Sequence, residues 1–118
     1  MPAYNFQPRF VDAIKSGFKR STIRATRLDG RVPRPGQELQ LYTGMRTKNC
    51  QRLRLVKCAR VSKLTISVAL AIRLNGRLLN GVEEEHLVKQ DGFTSTEDFF
   101  LWFKEYHGFP FQGHVVEW

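Results

Sequence analysis

The first apolar pattern along the chain has a spacing of four residues. Its members are Phe6, Phe10, Ile14 and Phe18. This spacing places one apolar stripe on a helix. Pro8 is accepted in a first helical turn, and Gly17 is a typical helix stop. We therefore predict a first helix that begins near Pro8 and ends at Gly17, followed by residues 21–24 and an exposed loop over 25–36.

Strand alternation dominates the middle of the chain. Leu39 and Leu41 lie on one face of residues 38–43, and Leu53, Leu55, Ala59 and Val61 lie on one face of residues 52–61, which predicts two strands. Residues 64–74 carry an apolar side chain at every second position, and the Asn75-Gly76 pair that follows is the preferred sequence of a type I′ hairpin turn. We expect 64–74 to form one strand, with a bend near the alanines at 69 and 71 as the alternative.

The C-terminal third predicts two helices and a last strand. Residues 83–89 are typical of a short helix with an acidic first turn. The sequence from Thr94 to Glu97 is a capping box that opens an aromatic-rich helix before Gly108. We interpret its aromatic stripe as core rather than as a surface for base stacking. Val115 and Val116 predict the final strand. This order indicates an α+β fold.

Length and charge add a class of partner to this picture. A chain of 118 residues is expected to form one domain, spanning 1–118. Its formal net charge is +8, and residues 1–63 hold fifteen Lys or Arg against three Asp or Glu, whereas residues 64–118 hold four against eight. This asymmetry favours a polyanion such as nucleic acid as partner. A basic surface without such a partner is the alternative.

Cysteine and histidine positions argue against a metal site. Cys50, Cys58 and the three histidines show none of the paired spacings of zinc sites. We therefore expect no metal and no cofactor. The sequence also shows no secretion signal and no apolar run of membrane-spanning length, so we expect a cytoplasmic protein with reduced thiols and no membrane partner.

Four stretches together resemble the ASCH family, and the resemblance spans nearly the whole chain. They are residues 14–24 (IKSGFKRSTIR), 35–39 (PGQEL), 91–93 (DGF) and 111–118 (FQGHVVEW). Residues 41–47 (LYTGMRT) are similar to a recurrent variant within that family. The resemblance implies a PUA-like β-barrel of about five or six mostly antiparallel strands flanked by helices, with a cleft that receives RNA or a modified nucleoside.

The resemblance also implies candidate catalytic residues. One branch of the family removes the acetyl group of N4-acetylcytidine with a lysine, a threonine and a glutamate, and another branch is described as a ribonuclease. On the first pattern the lysine falls on Lys19 and the threonine on Thr22. The carboxylate falls on Asp91, which is shorter than glutamate by one methylene. Lys19 and Thr22 are three positions apart, so a turn within 17–21 is needed to bring them together.

Residue types within this segment fit amide hydrolysis. Such a reaction without metal needs a nucleophile, a base and donors to the oxyanion, and Thr22, Lys19 and Arg24 supply these types. For RNA binding we expect two basic loops, and the segments beside them, to converge on one rim, with Tyr42 or Phe18 stacking on a base. The candidate RNA-binding residues are Lys19, Arg20, Arg24, Arg27, Arg31, Arg34, Tyr42, Arg46, Lys48, Arg52 and Arg54.

These observations leave three hypotheses. The preferred one is a module that binds single-stranded RNA or a modified nucleotide in a basic cleft floored by Lys19, Thr22, Arg24 and Asp91. The second is a hydrolase that uses the same cleft, as an amidohydrolase on N4-acetylcytidine-type substrates or as a ribonuclease. The third is a protein-interaction domain.

Overall fold

The computed structural model describes residues 2–118. This part of the chain folds into eight strands and three α-helices, with a short 3-10 helix at Pro8–Phe10. The strands are β1 Ala3–Phe6, β2 Ser21–Ala25, β3 Glu38–Thr43, β4 Gln51–Lys57, β5 Arg60–Ile66, β6 Ile72–Leu74, β7 Arg77–Leu78 and β8 Phe111–Glu117. The helices are α1 Val11–Ser16, α2 Gly81–Gln90 and α3 Thr96–Tyr106.

The strands form two sheets, which confirms the α+β class. The smaller sheet has the order β1-β3-β4, with β1 parallel to β3 and β4 antiparallel to it. The larger sheet has the order β2-β8-β5-β6-β7 and is antiparallel throughout. Within residues 2–118 the pairings give two sheets and no closed barrel.

Helical structure begins at Pro8, as predicted, but the four apolar residues do not form a stripe on one helix. Phe6 ends strand β1, where it is in register with Thr43 of β3, and the α-helix itself covers only Val11–Ser16. Phe18 lies beyond the helix and is exposed. The spacing of four was misleading because a distant strand, absent from any local window, recruits the first aromatic residue into a sheet. The predicted stop is confirmed, since Gly17 ends α1 in the left-handed conformation at φ 84°.

The strand predicted over 52–61 passes from one sheet into the other. It divides into the end of β4 and the start of β5 at Cys58 and Ala59. The amide of Cys58 donates to the carbonyl of Gln37, at 2.8 Å, and the amide of Ala59 donates to the carbonyl of Glu117, at 2.7 Å. Backbone hydrogen bonds of adjacent residues thus reach the two sheets, and this corner connects them.

The long strand predicted over 64–74 is interrupted, as the alternative allowed. β5 ends at Ile66, and the chain turns so that the Leu70 amide donates to the Ser67 carbonyl, at 2.9 Å. The Ser67 hydroxyl accepts a further bond from the Ala71 amide, at 3.0 Å. The apolar alternation of the sequence continues through this turn, but Val68 and Leu70 are exposed and belong to no strand. The Asn75-Gly76 turn is confirmed, with φ of 51° and 85°.

Both C-terminal helices and the last strand are confirmed, with one shifted cap. Ser95, and not Thr94, caps α3, because its hydroxyl accepts from the Asp98 amide at 3.0 Å. The aromatic stripe of α3 supplies core, as predicted, through Phe99 and Phe103, whose ring centroids lie 4.6 Å apart. None of the helices within residues 2–118 is long and apolar enough to cross a lipid bilayer.

Candidate functional site

A cavity of about 320 Å³ lies where β1, β2, the end of α2 and the end of α3 meet. Lys19, Thr22, Arg24 and Asp91 all line it. The structure therefore brings together the residues expected to floor a cleft, although 69 positions separate Thr22 from Asp91 in the chain. We call this space the first cavity. Its other lining residues are Asn5, Phe6, Gln7, Phe10, Ile23, Ala25, Phe93, Trp102, Tyr106 and His107.

The turn required to place Lys19 follows α1. The amide of Lys19 donates to the carbonyl of Ala13, at 2.9 Å, so the chain folds back on the helix that it has just left. The next amide, that of Arg20, donates to the carbonyl of Gln90 at the end of α2, also at 2.9 Å. These two bonds fix Lys19 against the segment that carries Asp91.

The ammonium group of Lys19 is buried among partners of several kinds. Its side chain is 3% exposed, and Nζ donates a hydrogen bond to the backbone carbonyl of Asp91. Nζ also lies 4.7 Å from the ring centroid of Phe10, within cation–π range. Burial lowers the pKa of Lys19, with a contribution from the positive charge of Arg24, and Asp91 opposes this shift. The lysine is thereby closer to acting as a base than an exposed lysine is.

Asp91 occupies the C-cap position of α2, and its carboxylate is buried. The Ser21 hydroxyl donates to Asp91 Oδ1 at 2.8 Å, whereas Lys19 Nζ is 3.5 Å from the same oxygen. Burial raises the pKa of the Asp91 carboxyl, and Lys19 opposes this shift. The backbone carbonyl of Asp91 accepts the hydrogen bond from Lys19, so this residue contacts the ammonium group through its main chain as well as its side chain.

Thr22 and Arg24 lie two positions apart on β2 and so face the same side of the sheet. Arg24 Nε donates to Thr22 Oγ1 at 3.0 Å, and Arg24 Nη2 donates to the carbonyl of Asn5, also at 3.0 Å. The guanidinium carbon lies 4.9 Å from the ring centroid of Tyr4 and 5.0 Å from that of Phe6. Two aromatic rings of β1 therefore fix the plane of this cation.

Arg24 is a partly buried cation without a carboxylate partner. Within residues 2–118 it forms no ion pair. Burial lowers the pKa of Arg24 from its ordinary value, yet a guanidinium remains protonated in proteins at neutral pH. A positive charge therefore faces the first cavity permanently, which favours a ligand with negative or strongly polar groups.

The sequence did not indicate the wall of the first cavity that α3 supplies. Trp102, Tyr106 and His107 line it, so part of the stripe interpreted as core also borders the site. The ring centroids of Trp102 and Tyr106 lie 4.9 Å apart, and Tyr106 is half exposed. The width of the aromatic stripe could have revealed this wall, because the stripe is wider than the helix face that packs against a single core. Gly92 was also missed, and it packs directly against Lys19.

A second cavity, of about 550 Å³, lies on the other side of Arg24. Arg24 and Ala25 border both cavities, and the loop between β2 and β3 contributes Arg27, Arg31 and Arg34. The loop arginines predicted to bind phosphates therefore do converge on one concave surface. The remaining lining residues are Pro2, Ala3, Tyr4, Val32, Pro33, Gln37, His114 and Val116.

The other basic candidates lie elsewhere. Neither cavity is lined by Arg20, Tyr42, Arg46, Lys48, Arg52 or Arg54. The second basic loop, between β3 and β4, contributes no lining residue to either cavity. It nevertheless reaches the edge of the first cavity, because the Met45 amide donates to Oδ1 of the lining residue Asn5 at 2.9 Å. Tyr42 donates its hydroxyl to Gln40 Oε1 at 2.6 Å, and Phe18 borders neither cavity.

Residues 2–118 contain no group of three or more His, Cys, Asp or Glu arranged to hold a metal ion. Both cysteines are free, Cys50 at the surface and Cys58 buried. Comparison of the chain with protein-family models, curated proteins and solved structures found no match.

Proposed function

We propose that this chain is an ASCH-type, PUA-like domain that binds single-stranded RNA or a modified nucleotide in the first cavity. The supporting observation is the convergence of Lys19, Thr22, Arg24 and Asp91 in one cavity with aromatic walls. The proposal includes a barrel-like relationship of the two sheets. The corner at Cys58, where the chain leaves one sheet for the other, supports that part.

The walls of the first cavity suit a planar base. Trp102 and Tyr106 offer aromatic faces on which a base can stack. The opposite side is polar and cationic through Arg24 and Lys19, which donate hydrogen bonds but accept none. A cytosine fits this division because its O2 carbonyl and its N3 ring nitrogen are both acceptors. The basic first half of the chain adds attraction for the phosphates of RNA.

A specific observation also favours hydrolysis as a second candidate function. Lys19 is a buried amine with a lowered pKa, and it borders the same cavity as the hydroxyl of Thr22. Because Arg24 donates to Thr22 Oγ1, the hydroxyl proton remains available to another acceptor. For an N-acetylated cytosine, the reaction requires Lys19 in its neutral amine form: Thr22 Oγ1 attacks the acetyl carbon and its proton passes to that amine. The C–N bond then breaks, and the cytosine amine takes that proton.

This reaction closes with water. Hydrolysis of the acetyl-threonine ester releases acetate and restores the Thr22 hydroxyl. Arg24 is the candidate donor to the oxyanion of each tetrahedral intermediate, since its guanidinium group lies beside the attacking Thr22 hydroxyl. The same four residues thus support binding alone or binding followed by deacetylation.

The first experiment measures binding to the first cavity. Cytidine and N4-acetylcytidine are titrated while tryptophan fluorescence is recorded, because Trp102 lines the cavity. We expect saturable quenching that Thr22→Val and Lys19→Met weaken at least tenfold. The matched controls are Thr65→Val and Lys15→Met, which alter exposed residues of β5 and α1. Absence of saturation with both nucleosides and with a single-stranded RNA at low salt contradicts the proposed function.

The second experiment separates the two candidate functions. The protein is incubated with N4-acetylcytidine, and the release of cytidine is followed by chromatography. Turnover that Lys19→Met and Thr22→Val abolish, and the two controls retain, supports the hydrolase. Binding without turnover supports the binding module. Turnover that survives both substitutions contradicts the assignment of Lys19 and Thr22 as catalytic residues.

A further inference from the structure

The second cavity is a concave surface lined by four arginines. Arg24, Arg27, Arg31 and Arg34 border it, and its lining includes no aspartate or glutamate. We propose that this cavity is a phosphate-binding subsite, which receives the phosphate of a nucleotide unit whose base occupies the first cavity. The proposal rests on the proposed function and deepens it, because it divides the ligand between two adjoining cavities.

Intramolecular ion pairs leave most of this positive charge available. Asp29 lies in the same loop and is the acidic residue that pairs with its arginines. Its carboxylate is 3.1 Å from the guanidinium group of Arg27 and 3.9 Å from that of Arg31, and all three residues are exposed. Arg34 forms no ion pair within residues 2–118, nor does Arg24. One carboxylate is therefore paired with two of the four guanidinium groups, and the other two have no carboxylate partner. An anion is the ligand that this excess of charge selects.

Hydrogen bonds from backbone amides to side-chain and backbone oxygens order the loop that carries the arginines. The Asp29 carboxylate accepts from the Arg31 amide at 2.9 Å, and the Gln37 side chain accepts from the Arg34 amide at 3.1 Å. The amide of Gly36 donates to the carbonyl of Cys58, which ties the end of the loop to the corner between the sheets. This bonding limits the conformational entropy that the loop loses when it binds an anion.

Arg24 is the residue that joins the two cavities. Tyr4 and Phe6 hold its guanidinium group, while Nε and Nη2 donate to Thr22 and Asn5. No hydrogen bond from its Nη1 is found within residues 2–118. A guanidinium group binds phosphate oxygens through its planar array of donors. Arg24 therefore has a donor left for a phosphate next to a base in the first cavity.

Two kinds of ligand present this chemistry. One is the phosphomonoester of a free nucleotide, and the other is the phosphodiester of an RNA strand. Both place a phosphate one sugar away from a base, which matches two cavities that share one wall. Ligands that differ only in their phosphate distinguish these sources.

The test compares ligands with and without phosphate. Dissociation constants are measured by calorimetry for N4-acetylcytidine, its 5′-monophosphate and a single-stranded trinucleotide with this nucleoside at its centre. We expect the wild-type protein to prefer at least one phosphorylated ligand by about tenfold, as charge-assisted bonds to phosphate provide. The better of these two ligands identifies the source of the phosphate. The double variant Arg31→Gln/Arg34→Gln is expected to reduce this preference to about twofold or less and to leave nucleoside affinity unchanged.

The control removes the same charge from another surface. Arg52→Gln/Arg54→Gln alters β4, which borders neither cavity, and it is expected to preserve the preference. An equal loss in this control, or no loss in the Arg31/Arg34 variant, overturns the subsite. An absence of phosphate preference in the wild-type protein overturns it as well.

Pyrophosphate separates failure of the subsite from failure of the proposed function. Thermal stabilisation of the protein by pyrophosphate does not require a base. If no nucleoside binds but pyrophosphate stabilises the wild-type and the Arg52/Arg54 variant more than the Arg31/Arg34 variant, the subsite stands and the proposed base site is wrong. If nucleosides bind and pyrophosphate stabilises all three proteins equally, the base site stands and the subsite is wrong. Stabilisation of none of them also overturns the subsite.

Discussion

The methylene chain of Lys19 packs directly over Gly92. A β-carbon built on Gly92 would lie 3.0 Å from Lys19 Cδ and 3.2 Å from both Cβ and Cγ, closer than carbon atoms normally approach. Gly92 follows Asp91 and adopts φ 91°, which favours glycine. One residue therefore lets α2 end in a left-handed turn and leaves room for the lysine. Asp91 and Gly92 together hold Lys19 in place. Asp91 bonds its ammonium group, and Gly92 leaves space for its methylene chain.

Gly92→Ala is expected to displace Lys19 and weaken ligand binding at least tenfold, measured by the fluorescence titration with N4-acetylcytidine. The control is Gly76→Ala, because Gly76 has a similar φ of 85° and a β-carbon added to it would meet nothing within 4 Å. Both variants carry the backbone strain of alanine at positive φ. Equal loss of binding in both would show that strain, rather than contact with Lys19, is responsible.

Ser21→Ala is expected to destabilise the fold through the Asp91 carboxylate. The Ser21 hydroxyl is buried and donates to Asp91 Oδ1 at 2.8 Å. Its removal leaves a buried acceptor short of a partner, which costs about 1–3 kcal/mol. Urea denaturation measures this change in the free energy of unfolding. Ser16→Ala removes an exposed hydroxyl at the end of α1 and serves as the control. A cost for Ser21→Ala no larger than that control's would contradict the role assigned to Ser21.

Arg24→Lys tests whether charge alone suffices at the wall between the cavities. Lysine keeps the positive charge but lacks the planar donors that reach Thr22 and Asn5 together. We expect nucleotide affinity to fall by about tenfold or more, in line with the loss of one charge-assisted hydrogen bond. The measurement is calorimetric titration with N4-acetylcytidine 5′-monophosphate. Lys63→Arg, at an exposed position of β5, is the reciprocal control, and retained affinity in Arg24→Lys would contradict the prediction.

His107 is expected to make folding stability depend on pH. One side of its exposed ring packs against Phe111, with centroids 5.0 Å apart, and this partial burial together with Arg24 lowers the pKa of His107 from 6.5. Between the lowered value and 6.5 the unfolded chain binds more protons than the folded protein. The contribution of His107 to the free energy of unfolding therefore rises with pH across this interval and becomes constant above it.

Nuclear magnetic resonance titration of the imidazole protons measures this pKa directly. Urea denaturation of His107→Gln at several pH values then measures the linked stability, and we expect a shallower rise than in the parent protein. A His107 pKa of 6.5 or higher would contradict the prediction.

Local patterns predicted the elements whose formation depends on local chemistry. The alternation in residues 38–43 matches β3, and Asn75-Gly76 forms its turn because these residues accept positive φ. Prediction was wrong where a distant partner decides the structure. Phe6 continues a helical spacing, yet parallel pairing with β3 makes it part of a strand. Likewise, nothing local to Cys58 shows that its own amide and that of Ala59 bond to different sheets.

Only part of the site was predicted, and the reason is again that tertiary structure decides the rest. The resemblance implied Lys19, Thr22 and Asp91, and the structure places them around one cavity. The wall of Trp102 and Tyr106 was missed because helical spacing describes which side of α3 is apolar, but not which part of that side meets core and which part meets a cavity. That division depends on the position of β1 and α2, which only the tertiary structure specifies.

The pairing of β8 with β2 joins two segments that lie far apart in the chain. β2 carries Thr22 and Arg24 near the start of the chain, and its hydrogen-bonded neighbour in the larger sheet is β8, at residues 111–117. The amide of Trp118 also donates to the carbonyl of Arg20, beside Lys19. Contacts of such long sequence separation form late. A chain that lacks residues 111–117 therefore keeps Lys19, Thr22, Arg24 and Asp91 but loses the strand that lies between β2 and β5.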